Sequence, residues 1–191
     1  MALTPSTMLP LGTPAPGFEL PEPATGRIVR LGDFSEAPAL VVAFLCNHCP
    51  YVKHMIDGFV AFAREYGPKG LAIVAINPND SSAYRDDAPE HMARVAAEKG
   101  FPFPYLIDAT QRTALAYEAI CTPDFFLFDA SRRLAYRGRF DASSPGNNTP
   151  VTGNELRAAV DALLAGRPIG EQTASIGCSI KWKPGNAPEW A

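Results

Sequence analysis

The strongest pattern along the chain is a short, valine-rich apolar run, residues 39–45, that stops at Cys46 and gives way to a helical periodicity. A run of that length without polar alternation predicts a strand buried on both faces, as in a parallel sheet covered by helices. Val52, Met55, Ile56, Phe59, Ala63 and Tyr66 then recur at spacings of three and four, which predicts a helix with one apolar face, ended by Gly67 and Pro68. Residues 70–77 read as a second buried strand. Asp87-Ala88-Pro89-Glu90 has capping-box spacing and predicts a helix over residues 91–99, closed by Gly100. Residues 105–108 predict a third strand and residues 113–119 a further helix. This alternation implies a largely parallel sheet with right-handed crossovers.

On either side of that stretch the pattern changes. Residues 17–20 and 26–31 read as two short strands of a hairpin. Pro123 stands directly before an apolar strand, residues 124–129, and residues 133–140 follow as an antiparallel partner. A proline cannot sit inside a central strand, so it marks the strand's start, and a Thr122-Pro123 bond at a fixed turn is a candidate for the cis form. Thr152-Gly153-Asn154-Glu155 has capping-box spacing again and opens a helix with Leu156, Ala159, Val160, Leu163 and Leu164 inward. The expected organisation is a loose N-terminal arm (1–11), one α/β domain with a mixed central sheet flanked by helices (12–168), and a C-terminal tail (169–191). An alternating stretch around Cys178 predicts order in that tail, with Trp182 as its anchor.

The chemistry lies where the first strand meets the first helix, at Cys46-Asn47-His48-Cys49. Two cysteines spaced Cys-x-x-Cys can close a small disulfide ring, and Pro50 sits where a missing N–H does no harm to a helix start. Unpaired helix N–H groups and the positive end of the helix dipole stabilise an anion there. A thiolate on Cys46 is the expected anion, with His48 as a second stabiliser and Cys49 titrating higher. The pair should therefore be more oxidising than one with Gly-Pro between its cysteines. Cys-x-x-Cys is also half of a zinc site, and the chain has 4 cysteines and 3 histidines. No second Cys-x-x-Cys follows at finger-like spacing, which favours redox chemistry without a metal or other cofactor. Cys121 and Cys178 are candidate accessory thiols, set against the alternative of inert apolar packing.

Length and charge narrow the partners. The 191 residues suit one domain, and 17 Lys plus Arg against 20 Asp plus Glu leave no basic block for nucleic acid or an anionic membrane. The longest apolar run, about eight residues, is too short to span a bilayer. Prolines at 5, 10, 14 and 16 replace a basic-then-apolar leader, so a cytoplasmic location is expected. In that compartment a disulfide is transient and catalytic rather than structural.

Cys46-Asn47-His48-Cys49 after a buried strand, with Thr122-Pro123 opening a late strand, resembles the thioredoxin superfamily over roughly residues 14–166. Residues 12–20 together with Gly26, Leu31 and Phe34 are similar to the N-terminal hairpin of the branch holding AhpC/TSA peroxiredoxins and TlpA/ResA-type oxidoreductases. The resemblance implies a thioredoxin-like fold with Cys46 as attacking thiol and Cys49 as resolving thiol. It further implies that Asn47, Thr122 and Pro123 bind a protein or small-molecule disulfide, with electrons from a separate donor. Two departures matter. Leu40 stands where thioredoxins hold a buried acid, so proton transfer needs another group. The peroxiredoxin pattern Pro-x-x-x-Thr/Ser-x-x-Cys fails for both cysteines, with Val42 and Cys46 in its positions before Cys49, and Ala39 and Ala43 before Cys46. The expected function is thiol-disulfide exchange; the alternatives are a thiol peroxidase and a non-catalytic binding protein of the same fold.

Overall fold

The computed structural model describes residues 3–190; Met1, Ala2 and Ala191 lie outside the described residues. A five-stranded sheet forms the centre. Its order places β6 (Tyr105–Ile107), β5 (Leu71–Asn77), β4 (Ala39–Phe44), β8 (Asp124–Asp129) and β9 (Leu134–Gly138) side by side. The first three run parallel, and β8 and β9 are antiparallel to their neighbours, so the switch expected at Pro123 is present. β4 lies between β5 and β8 with every residue buried, as its unbroken apolar run requires.

The two faces of β4 feed two cores. Ala39, Val41 and Ala43 pack with α1 (Pro50–Tyr66), α4 (Asn154–Leu164) and Met92 of α2 (Pro89–Lys99). Leu40, Val42 and Phe44 pack with α3 (Arg112–Ala116), Tyr117, and the hairpin of β2 (Glu19–Pro21) and β3 (Ile28–Arg30). Leu40 thus lies wholly inside an apolar layer, so a carboxylate at that position would face hydrocarbon on this chain. On α1 the buried residues Val52, Met55, Ile56, Phe59, Ala63 and Tyr66 are those the periodicity picked out. His54 is exposed. None of the described helices is long and apolar enough to cross a membrane.

Three expectations are corrected. The arm is not loose: β1 (Leu3–Pro5) pairs antiparallel with β10 (Ile176–Ser179) of the tail, which pairs with β7 (Cys121–Thr122). Neither capping-box spacing makes a capping box. α2 has Ala88 at its N-cap and no side-chain cap, because Asp87 turns inward instead. α4 has Gly153 at its N-cap and no side-chain cap; Asp141 Oδ2 fixes the entering chain instead, accepting the N–H groups of Thr152 at 2.7 Å and Gly153 at 2.6 Å, while Glu155 pairs with Arg139. Gly153 is needed there: its φ is +65°, and a Cβ would stand 2.3 Å from the Phe140 ring.

Candidate functional site

Cys46 and Cys49 sit at the end of β4 and the start of α1, as the sequence predicts. Leu45 still donates to Ile76 O at 3.0 Å, after which the chain leaves the sheet, and Cys49 becomes the N-cap residue of α1 with Pro50 at N1. The Thr122-Pro123 bond is cis, and Thr122 faces both sulfurs. Cys46 Sγ lies 3.1 Å from Thr122 Oγ1, and Cys49 Sγ donates to Thr122 O at 3.1 Å. All four cysteines are thiols in this structure, and all four are buried.

The electrostatic order within the pair is the reverse of the expected one. Burial pushes the Cys46 thiol well up, reinforced by Cys49 and by the charge of the Asp87 carboxylate. Cys49 is brought down to about 5, first by the Cys46 thiol, which stabilises charge on it against the cost of burial. The N–H of Val52 in the first turn of α1 and the thiol and backbone of Cys178 act in the same direction. The helix start therefore serves Cys49, which stands on it, rather than Cys46, three residues earlier. The two sulfurs titrate as a coupled pair: while Cys49 is protonated its S–H donates to Thr122 O, and loss of that proton leaves a charge that both sulfurs share.

Asp87 is the residue that sequence reasoning missed. It is fully buried, and its Oδ1 accepts Asn47 N–H at 2.6 Å and Asn77 Nδ2 at 3.0 Å. Its Oδ2 accepts Asn79 Nδ2 at 3.0 Å and faces His48 Nδ1 at 2.5 Å. Burial alone would raise this carboxyl, but those four partners hold it below its ordinary value, so it stays charged at neutral pH. A carboxylate partner places the proton on His48 Nδ1, while Tyr84 stacks on the ring with centroids 4.8 Å apart. His48 thus bonds directly to Asp87. Asn47 is held as firmly, donating from Nδ2 to Asp86 O at 2.7 Å and accepting from Tyr105 OH at 3.1 Å. The signal available in the sequence was polar Asn77 ending a buried strand, with Asn79 and the Asp86-Asp87 pair close behind.

One donor atom each from Cys46, His48 and Asp87 lie within 4.8 Å of one another, a mixed set that zinc could use. The Asp87 oxygens are already committed to four hydrogen-bond partners, so a cation there would have to displace them. Two clefts approach the pair. One of about 170 Å³ is lined by Cys46, Leu45, Val52, Ile56, Phe101 and Tyr105 and is predominantly apolar. The other, of about 270 Å³, runs past Pro123, Met55, Phe140 and Ile176. Of the accessory thiols, Cys121 Sγ lies 3.8 Å from Pro123 O, and Cys178 stands opposite Thr122 across the β10–β7 ladder.

Gly177 makes that ladder fit, since a Cβ on it would meet Thr122 O at 2.1 Å. Gly177→Ala should therefore unseat β10, with a loss of about 1–3 kcal/mol in urea unfolding. Amide exchange at residues 176–179 should accelerate selectively.

The sequence profile of the AhpC/TSA family matches residues 11–137. A search of curated proteins finds no match. Among solved structures, an uncharacterized conserved protein from Geobacillus kaustophilus is 53% identical with a TM-score of 0.94, covering 96% of this chain and 98% of its own. A hypothetical protein from Sinorhizobium meliloti 1021 is 49% identical at a TM-score of 0.94, covering 95% and 100%. A thiol:disulfide interchange protein of the thioredoxin family from Chlorobium tepidum TLS is 18% identical at a TM-score of 0.62, covering 82% and 99%. The last likeness carries the fold, which is thioredoxin-like.

Proposed function

Since the chain belongs to the AhpC/TSA family, we propose that it works as a thiol-disulfide oxidoreductase, exchanging the Cys46–Cys49 dithiol for a partner's disulfide. The observation that carries this reading is the contact of both sulfurs with the one residue Thr122, at 3.1 Å each, beside a helix start. Cys46 borders the apolar cleft and Cys49 does not, so Cys46 is the cysteine nearer an incoming molecule. Cys49 holds the charge and can take the Cys46 proton. The Cys46 thiolate then attacks a partner disulfide, forms a mixed disulfide and expels the first partner thiolate, which removes the proton from Cys49. Cys49 attacks Cys46, closes the Cys46–Cys49 bond and releases the second partner thiolate. Two electrons pass from the dithiol to the partner. Asp87 and His48 position Asn47 and the loop carrying Cys46, and an external thiol donor restores the pair. The reading also assigns Asn47, Thr122 and Pro123 to contact with the partner.

The test is dithiothreitol-driven reduction of insulin and of a small aromatic disulfide, run beside consumption of cumene hydroperoxide with and without thioredoxin. We expect disulfide reduction well above the dithiothreitol background, lost in Cys46→Ser. Hydroperoxide consumption without disulfide reduction would make the protein a thiol peroxidase. Neither activity, with both thiols intact, would make it a binding protein.

A further inference from the structure

Three cysteines gather around the one residue Thr122, and the exchange described above uses only two of them. β10 runs antiparallel to β7 with Cys178 directly opposite Thr122, whose carbonyl oxygen lies 3.1 Å from Cys49 Sγ. The Cys178 thiol in turn interacts with the Cys49 sulfur. The Gly177 backbone comes so close that a Cβ would stand 2.1 Å from Thr122 O and 3.1 Å from Pro123 Cδ. Cys46, Cys49 and Cys178 are 1%, 0% and 3% exposed, so the three sulfurs share a site without bulk water. An extended strand carrying a cysteine, laid along the edge beside the redox pair, is what a peptide substrate bound by strand addition would present. Here the chain supplies that strand itself.

We propose that Cys178 is a third member of the exchange, a built-in partner that takes the disulfide over from Cys46–Cys49. This rests on the dithiol–disulfide reading above. Cys178, as thiolate, attacks Cys49 Sγ of the Cys46–Cys49 disulfide. The Cys46–Cys49 bond breaks and the Cys49–Cys178 bond forms. Cys46 leaves with the electron pair and takes the proton that Cys178 gave up. One disulfide replaces another, so no oxidant or reductant is consumed. Burial pushes the Cys178 thiol up to about 12, and charge on Cys49 adds to that rise while Lys181 opposes it. In the oxidised pair Cys49 carries no charge, which removes that part of the barrier. The result returns a Cys46 thiol to the apolar cleft and stores the disulfide beneath the tail.

The reduced full-length protein is treated with one equivalent of diamide, quenched in acid, alkylated and mapped by mass spectrometry. Wild type should yield both Cys46–Cys49 and Cys49–Cys178 links, and Cys46→Ser should yield Cys49–Cys178 as its main intramolecular link. Gly177→Ala, which unseats β10, should lower the Cys49–Cys178 share several-fold and leave Cys46–Cys49. Circular dichroism checks that the variants fold. If wild type yields Cys46–Cys49 alone, or Cys46→Ser gives free thiols, intermolecular links or Cys49–Cys121, the proposal is overturned while the exchange reading stands. If wild type forms no link at Cys49, both fall.

Discussion

Serine at position 49 should remove the thiolate that the fold holds at neutral pH and drop disulfide exchange to the uncatalysed background. A free thiol near its usual pKa is only about 3% ionised at pH 7, whereas Cys49, at about 5, is almost fully ionised there. The pair therefore supplies far more thiolate at pH 7 than a free thiol does, before any effect of geometry. In Cys49→Ser the Cys46 thiol loses its proton acceptor, and burial and Asp87 still hold it well above the ordinary value. The variant therefore lacks both a nucleophile at pH 7 and the second sulfur that closes the disulfide. Dithiothreitol-driven reduction should fall by at least about a hundredfold, since two requirements of the step are lost together. Thiolate absorbance against pH gives an independent reading: wild type should show a step near 5, present above that pH and lost below it, and Cys49→Ser should not. A variant that keeps the step would put the thiolate on Cys46, and one that keeps turnover would rule out the mechanism.

The strand–turn–helix that carries the cysteines was legible because it depends on local signals. An uninterrupted apolar run can only be a buried strand here, and Pro50 after Cys49 fixes where α1 begins. Thr122-Pro123 was legible for a similar reason, a proline at the start of an apolar strand. Asp87 was not, because Asp-x-x-Glu before a helix has the same spacing whether the aspartate caps the helix or turns into the core. Only the tertiary placement of Asn47, Asn77 and Asn79 around it decides between the two. The charge order of the cysteines failed for a related reason. A helix start favours an anion, but which sulfur receives it depended on Val52, Cys178 and the carboxylate, and two of those three lie far away in sequence. The seating of the tail beside Thr122 was likewise a long-range fact, carried by the Gly177 contact rather than by any periodicity.

Asp124→Ala should be among the most destabilising single changes in the chain, at about 3–5 kcal/mol, because it strands a buried cation. Arg137 and Asp124 are both wholly buried and pair at 3.2 Å, one residue beyond Pro123. Ser6, from the N-terminal arm, donates to both Asp124 oxygens at 2.9 Å, and Arg137 also donates to Glu118 O at 2.7 Å and lies over the Phe126 ring at 4.4 Å. Among the described residues Arg137 Nε and Nη1 find no hydrogen-bond partner, so the guanidinium depends on the carboxylate for its compensation. Burial pushes Asp124 up to about 6, above its ordinary value of 3.8, so the fold holds this proton more tightly than the unfolded chain does. Its contribution to stability is therefore greatest below about 4 and declines as pH rises through about 6. Urea unfolding of wild type and Asp124→Ala at several pH values measures both effects. The Asp124→Leu, Arg137→Met double variant removes the pair without leaving a charge and should recover most of the loss. A loss in Asp124→Ala below about 1 kcal/mol, or a double variant weaker than either single one, would show that the pair is not what holds β8 and β9 beside the redox site.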